Sequence, residues 1–177
     1  MAEMSPEHAH LFVHNALLGV LKVENRITTS VLAAVPSRNL DYRPDPCAKT
    51  ANELLRHIAS ADNFFLKSVV DGAFVPGSVK IPDEVRTPAE IVEWYGKEYA
   101  ENFDAVTQLS GEQLIRIVDF RGLLKRPAYT FLQAGLLHTV HHRGQLSSYL
   151  RAMGGKVPAI YGESYDSAEA KKAAMPA

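Results

Sequence analysis

The amino-acid sequence predicts an all-α protein, a four-helix bundle with long connections between its helices. Four segments repeat apolar residues with the 3.6-residue period of a helix, and each begins with residues typical of a helix start. The chain has 177 residues, of which 46% are hydrophobic and 22% are charged, as in an ordinary globular protein. We expect a single domain over residues 1–177, because too few helices lie on either side of any connection to form a separate core.

The first two helices are predicted over about residues 6–34 and 51–71. Ser5 is a typical N-cap residue, whose side chain accepts a hydrogen bond from a free backbone N–H of the first turn. Thr50, with Glu53 three residues later, has the pattern of a capping box. These residues predict where the two helices begin.

The third and fourth helices are predicted over about residues 88–108 and 127–153. Thr87 and Glu90 repeat the capping-box pattern at the start of the third helix. The fourth helix carries apolar residues on more than one side, so we expect several neighbours to bury it. The tail over residues 165–177 is expected to be frayed, because it shows only a little helix propensity from alanine and lysine.

Three connections exceed the roughly 2–8 residues that usually join bundle helices. Each is long enough to run the length of the bundle, so loop length alone leaves the topology open. In the third connection, residues 110–113 can cap a short extra helix, and residues 115–120 are expected to be extended or irregular. The connections span residues 36–49, 73–86 and 109–126.

Charge and composition exclude several classes of partner. The 19 lysine and arginine residues nearly balance the 20 aspartate and glutamate residues, so the net charge of -1 provides no field for binding nucleic acid. No run approaches the roughly 20 apolar residues that cross a bilayer, so no membrane partner is expected. The N-terminus lacks an export signal and the single cysteine, Cys47, cannot form an intramolecular disulfide, so we expect a cytoplasmic protein.

The strongest local signal is a pair of histidines, His138 and His142, four residues apart in the fourth helix. This spacing places both imidazoles on one helix face, with Cβ atoms about 5–6 Å apart, so two ring nitrogens can share one cation. The same face carries Phe131 and Leu146, so the pair is expected to point into the bundle. From this pattern alone two interpretations stay open: a metal site, or core histidines that are satisfied by hydrogen bonds.

His57 is a further candidate ligand, because it lies between Leu54 and Ala61 on the apolar side of the second helix. An inward histidine that faces an inward pair forms a three-histidine site, which leaves a coordination position for water or substrate. Zinc, nickel and iron accept these ligands, so the pattern does not determine the metal. His10 and His14 compete as a second pair, since they too are four residues apart on an apolar face.

Several residues near the histidine pair suggest further roles. His141 projects about 100° away from His142 around the helix, so we expect it to orient a neighbour or to meet solvent. Arg143 can bind an anionic substrate or serve a structural role, and Tyr149 can bond a metal-bound species or pack in the core. No general base is identified, because Asp62 lies off the helix face of the candidate ligand in its own helix, and the catalytic residues stay unknown.

Two stretches of sequence make the chain resemble the DinB/YfiT-like superfamily of bacterial four-helix metalloproteins. The second stretch is the more specific, and the resemblance covers about residues 11–162. The stretches are TANELLRHIA at residues 50–59 and HTVHHRGQLSSYLRAMG at residues 138–154, the latter followed by Val157-Pro158 and Tyr161-Gly162.

The resemblance implies that His57, His138 and His142 bind a divalent metal, usually zinc or nickel, in a bundle of up-down-down-up topology. It does not imply one reaction, since similar proteins include transferases that use low-molecular-weight thiols, proposed hydrolases and members without known activity. The leading hypothesis is a metal-dependent enzyme that activates a thiol or a water for attack on a small electrophile. The alternatives are a metal-dependent hydrolase and a non-catalytic, stress-related protein with a structural metal.

The third helix carries more aromatic surface than one side of a four-helix core requires, through Trp94, Tyr95, Tyr99 and Phe103. The excess either covers the apolar residues of the 73–86 connection or enters an interface with a second copy of the chain. Since the superfamily that the chain resembles often forms homodimers, we expect a two-fold homodimer. Light scattering checks this expectation, because a mass near the 19.5 kDa of one chain would exclude the dimer.

Overall fold

Four helical stretches form the bundle in a computed structural model that describes residues 4–174. The first stretch consists of α1 (Pro6–Phe12), a π-helical turn (Val13–Leu17) and α2 (Leu18–Ala33). The other three stretches are α3 (Ala51–Asp71), α4 (Pro88–Thr107) and α6 (Ala128–Leu150). The smaller elements are α5 (Gly111–Ile115), β1 (Ile117–Phe120), β2 (Leu124–Pro127) and α7 (Tyr165–Ala173). Within the described range, no helix is both long enough and apolar enough to span a membrane.

Side-chain caps explain where α3 and α4 begin. The Thr50 hydroxyl accepts a bond from the Glu53 backbone N–H at 3.1 Å, and the Glu53 carboxylate accepts the Thr50 backbone N–H at 2.7 Å. Thr87 and Glu90 make the same reciprocal pair at 3.3 and 2.8 Å. α3 ends at Gly72, whose φ of 74° lies in the left-handed region that favours glycine. The predicted starts of both helices are confirmed.

The order of the contacts along each helix gives the topology. The pairs α3–α6 and α2–α4 are antiparallel, because contacts advance along one helix while they retreat along the other. These contacts are Asp62–Thr139 and Phe65–Gly135 for the first pair, and Leu21–Tyr99 and Asn25–Tyr95 for the second. The first stretch and α6 are parallel, because their contacts advance together from Phe12–Tyr129 to Glu24–Arg143. The predicted up-down-down-up order is therefore confirmed.

The third connection contains α5 and a β-hairpin. Ser110 and Gln113 cap α5, which confirms the predicted short helix. The strands β1 and β2 pair antiparallel from Ile117–Pro127 to Phe120–Leu124. Of residues 115–120, predicted to be extended or irregular, the last four are thus a strand, whereas Ile115 ends α5. The Phe120 ring joins an aromatic cluster that anchors the hairpin to the bundle and consists of Phe65, Phe74, Phe120 and Phe131.

The prediction of a frayed tail over residues 165–177 is corrected for Tyr165–Ala173, which form α7. The Ser164 hydroxyl accepts the Ser167 backbone N–H at 3.0 Å and caps this helix. The Asp166 carboxylate accepts the guanidinium Nε of Arg151 and the backbone N–H of Val157, each at 3.0 Å. These contacts fix the start of α7 against the end of the bundle, and residues 175–177 lie outside the described range.

The aromatic residues of α4 divide between the core and its margin. Tyr95 and Tyr99 are buried, at 0% and 6% exposure, and Trp94 and Phe103 are partly buried against the core. Phe74 of the 73–86 connection is buried as well. Part of the aromatic surface that suggested a partner is thus used within the chain, and the homodimer stays a prediction.

A buried carboxyl group links three helices. The Asp62 carboxylate of α3 accepts bonds from the Tyr95 hydroxyl at 2.7 Å and the Thr139 hydroxyl at 3.0 Å. Asn25 of α2 donates to the Tyr95 hydroxyl at 2.9 Å. Burial raises the pKa of Asp62 to about 6, and the two hydroxyl donors oppose this rise only in part.

Gly135 allows α3 and α6 to come close, since a Cβ atom at this position would lie 2.6 Å from the Cβ of Phe65. Gly135→Ala therefore forces the helices apart, and we expect the free energy of unfolding to fall by about 1–3 kcal/mol. Gly144→Ala in the same helix is the control, because a Cβ there meets nothing within 4 Å. The free energy of unfolding of this control should rise by roughly 0.5–1 kcal/mol, because alanine favours the helix more than glycine does. Denaturant unfolding measures the stability of both variants. Equal changes in the free energy of unfolding would contradict the close contact at Gly135.

Asp62→Asn tests the buried carboxyl. The pKa of Asp62 is about 6 in the folded chain against 3.8 for an ordinary aspartate. The wild-type protein therefore loses stability as the pH rises through this window, where only the unfolded state has released the proton. The free energy of unfolding of the variant relative to wild type should rise by up to about 3 kcal/mol between about pH 4 and pH 7. Urea unfolding across this range measures the change in stability, with Asp104→Asn at an exposed position of α4 as the control.

Candidate metal centre

Three histidines from two antiparallel helices come together. His57 lies in α3, and His138 and His142 lie one turn apart in α6, so the predicted helix face does project both rings to one side. One ring nitrogen from each histidine lies within 4.8 Å of the other two. Among residues 4–174, no other group of three histidine, cysteine or acidic side chains brings its ligand atoms together in this way.

The three rings meet edge to face rather than stacking. The ring centroids of His57 and His142 are 4.5 Å apart with 86° between the planes, and those of His138 and His142 are 4.4 Å apart at 70°. Nε2 of His57 lies 3.2 Å from Nε2 of His138. Two nitrogens at about 2.0–2.1 Å from one tetrahedral zinc lie about 3.3 Å apart, so this spacing fits two ligands of one cation. The same contact is an N–H···N hydrogen bond when one ring carries the proton.

Burial keeps two of the imidazoles neutral. It lowers the pKa of His57 to about 4, with smaller contributions from the charges of His142 and Lys49. It lowers the pKa of His138 to about 4 as well. Both rings are uncharged near neutral pH and can offer a lone pair, the form in which histidine binds metals. All three side chains are half-buried, so solvent still reaches the cluster.

The outer nitrogens of His142 and His138 have different surroundings. Nδ1 of His142 lies 2.8 Å from Oε1 of Gln145, whose Nε2 lies 3.2 Å from Nε2 of His141. Nδ1 of His138 is buried without a hydrogen-bond partner in the described part of the chain, and the Phe65 ring lies beside it. Gln145 is not among the predicted site residues, although its position three residues after His142 indicates contact on the helix surface.

Arg143, a predicted substrate contact, is buried with 1% exposure. Its guanidinium donates to the Glu24 carboxylate at 2.6 Å and to the Thr28 hydroxyl at 3.1 Å. It also donates to the Tyr161 hydroxyl at 2.6 Å. These bonds tie α6 to α2 and to the segment after α6, and binding of an anionic substrate by Arg143 stays a prediction.

The other candidate residues contact parts of the fold outside the triad. The Tyr149 hydroxyl donates to the Lys49 carbonyl at 3.4 Å and its ring meets Tyr42 edge to face, so its predicted substrate role stays a prediction. His10 and His14 stack on each other with centroids 4.0 Å apart. Within residues 4–174, this competing pair gathers no third ligand, whereas the pair in α6 does.

The carboxylates nearest to His57 along α3 are engaged elsewhere. Glu53 accepts the backbone N–H of Thr50 as part of the helix cap. Asp62 accepts the two buried hydroxyls described above. The interpretation that Asp62 lies off the face of His57 therefore agrees with its contacts, and we assign no general base.

Two similar proteins come from bacteria of the genus Bacillus. YjoA, an uncharacterised protein of Bacillus subtilis (strain 168), is 27% identical over 143 residues, which are 79% of this chain and 90% of YjoA. The crystal structure of this DinB-like protein superposes with a TM-score of 0.68 at 23% identity and covers 82% of this chain and 98% of that one.

A second solved structure has the same fold. The DinB-like protein of Bacillus cereus ATCC 10987 gives a TM-score of 0.67 at 22% identity and covers 90% of this chain and 100% of that one. The sequence profile of the DinB family matches residues 7–173, which include all of the bundle except the first residue of α1 and all three clustered histidines. The chain therefore belongs to the DinB family.

Proposed function

We propose that the chain is a metal-dependent enzyme that holds one divalent cation at His57, His138 and His142 and brings a thiol or a water to a small electrophile. The observation that carries this proposal is the convergence of three half-buried imidazoles, two of which burial keeps neutral. Zinc or nickel suits such an all-nitrogen set.

The chain itself contributes three histidine ligands and a side of the cluster that solvent can reach. A cation held at this site would lower the pKa of the thiol or water that joins it. His57 and His138 need not release protons to bind near neutral pH, because their pKa values already lie at about 4. The half-exposed rings leave a side from which a small molecule can approach.

The number of ligands favours a catalytic site over a structural one. Structural zinc sites are closed by four protein ligands, whereas the cluster in residues 4–174 holds three. A low-molecular-weight thiol as second substrate would give a transferase, which the resemblance in sequence supports, and water as nucleophile would give a hydrolase. A protein that binds the metal but shows no turnover would support the alternative of a non-catalytic, stress-related protein.

The first prediction of this proposal concerns metal content. Elemental analysis of the purified protein should find about one zinc or nickel ion per chain. His138→Ala and His142→Ala should each lose the ion, because two imidazoles hold a cation far less tightly than three. His10→Ala is the matched control, since it removes a helical histidine of the competing pair and should keep full metal content.

Two results would contradict this assignment. Full metal content in His142→Ala would exclude the triad as the binding site. Loss of metal in His10→Ala or His14→Ala, with retention in the α6 variants, would place the site on the first helical stretch.

The second prediction concerns turnover. The metal-loaded protein, screened against an activated aryl halide and an epoxide with a panel of small thiols, should consume the electrophile only when a thiol is present. The rate should fall to background in His142→Ala and after treatment with a chelator, because both remove the cation. Turnover without a thiol would indicate the hydrolase. Absence of turnover in a fully loaded protein would support the non-catalytic alternative.

A further inference from the structure

Gln145 connects two histidines on the surface of α6. Its side-chain oxygen Oε1 lies 2.8 Å from Nδ1 of His142, and its side-chain nitrogen Nε2 lies 3.2 Å from Nε2 of His141. The spacings of three and four residues place these side chains on neighbouring turns of one helix. The connection therefore depends on α6 alone.

The chemistry of the amide decides which proton each imidazole carries. An amide oxygen only accepts hydrogen bonds, so Nδ1 of His142 must carry the hydrogen and donate it. The amide nitrogen only donates, so Nε2 of His141 must be unprotonated and accept. Both bonds require the same orientation of the amide, and they leave the lone pair of His142 on Nε2.

This lone pair is the one that the triad needs. His57 and His138 approach each other through their Nε2 atoms at 3.2 Å. Because Gln145 occupies Nδ1 of His142, only Nε2 of this ring can join them. If His142 carried its hydrogen on Nε2 instead, it would present an N–H to the cluster and could not act as a ligand.

We propose that Gln145 is a positioning residue that holds His142 in its Nδ1–H tautomer, with His141 fixing the orientation of the amide. The inference rests on the proposed function, because the tautomer matters only if a cation binds to the triad. A histidine without such a partner exchanges between two tautomers. Loss of an outer hydrogen-bond partner typically lowers metal affinity about 10–100-fold.

Two measurements test the role of Gln145. Nitrogen-15 NMR of the metal-free protein near neutral pH reports the tautomer of His142, and competition with a chelator measures zinc affinity. In Gln145→Leu we expect His142 to populate both tautomers and the zinc affinity to fall about 10–100-fold. Gln145→Glu keeps an acceptor for the Nδ1 hydrogen and should keep the wild-type tautomer and at least the wild-type zinc affinity. Gln133→Leu removes another exposed glutamine of α6 and should change neither.

Each alternative result has a defined meaning. An unchanged His142 tautomer or an unchanged zinc affinity in Gln145→Leu overturns the inference, and so does a wild-type His142 that carries its hydrogen on Nε2. An equal loss of affinity in Gln133→Leu overturns it too, because the effect would then not depend on the amide beside His142. A wild-type protein that binds neither zinc nor nickel contradicts the proposed function instead, and the tautomer then decides the role of Gln145 by itself.

Discussion

The close contact between α3 and α6 is the constraint on which the rest of the structure depends. Gly135 lies against Phe65, and the absence of a side chain at this position lets the two helices approach until His57 reaches His138. The same approach lets Thr139 reach the buried Asp62 carboxylate. The candidate metal centre and the buried Asp62 contacts thus have one cause: α3 and α6 pack closer together than a side chain at position 135 would allow.

The parts of the fold that sequence could predict are those with local causes. The starts of α3 and α4 follow from caps whose partners lie three residues away, and Gly72 ends α3 for an equally local reason. α7 was not predicted, although the Ser164 cap at its start is as local as the caps of α3 and α4. The contact between Asp166 and Arg151, which holds α7 against the bundle, forms only in the folded chain. Topology depends on distant contacts, and the long connections left it open until the resemblance to a known superfamily supplied an expectation.

The residues of the candidate site also differ in whether a local pattern could predict them. His138 and His142 could be predicted because their spacing alone places both rings on one helix face. His57 became a candidate ligand only because α6, with its histidine pair, packs against α3. The buried ion pair of Arg143 had no sequence signal, since its partner Glu24 lies 119 positions away, and no spacing rule reaches that far.

The triad also has a mechanical consequence. His57 and His138 are 81 residues apart in the chain, so an ion held by both would close a long loop and act as a removable cross-link. Because such an ion binds the folded chain and not the unfolded one, it adds stability in proportion to the logarithm of its free concentration once that concentration exceeds the dissociation constant. The three histidines would then couple the folded fraction of the protein to the concentration of free metal in its surroundings.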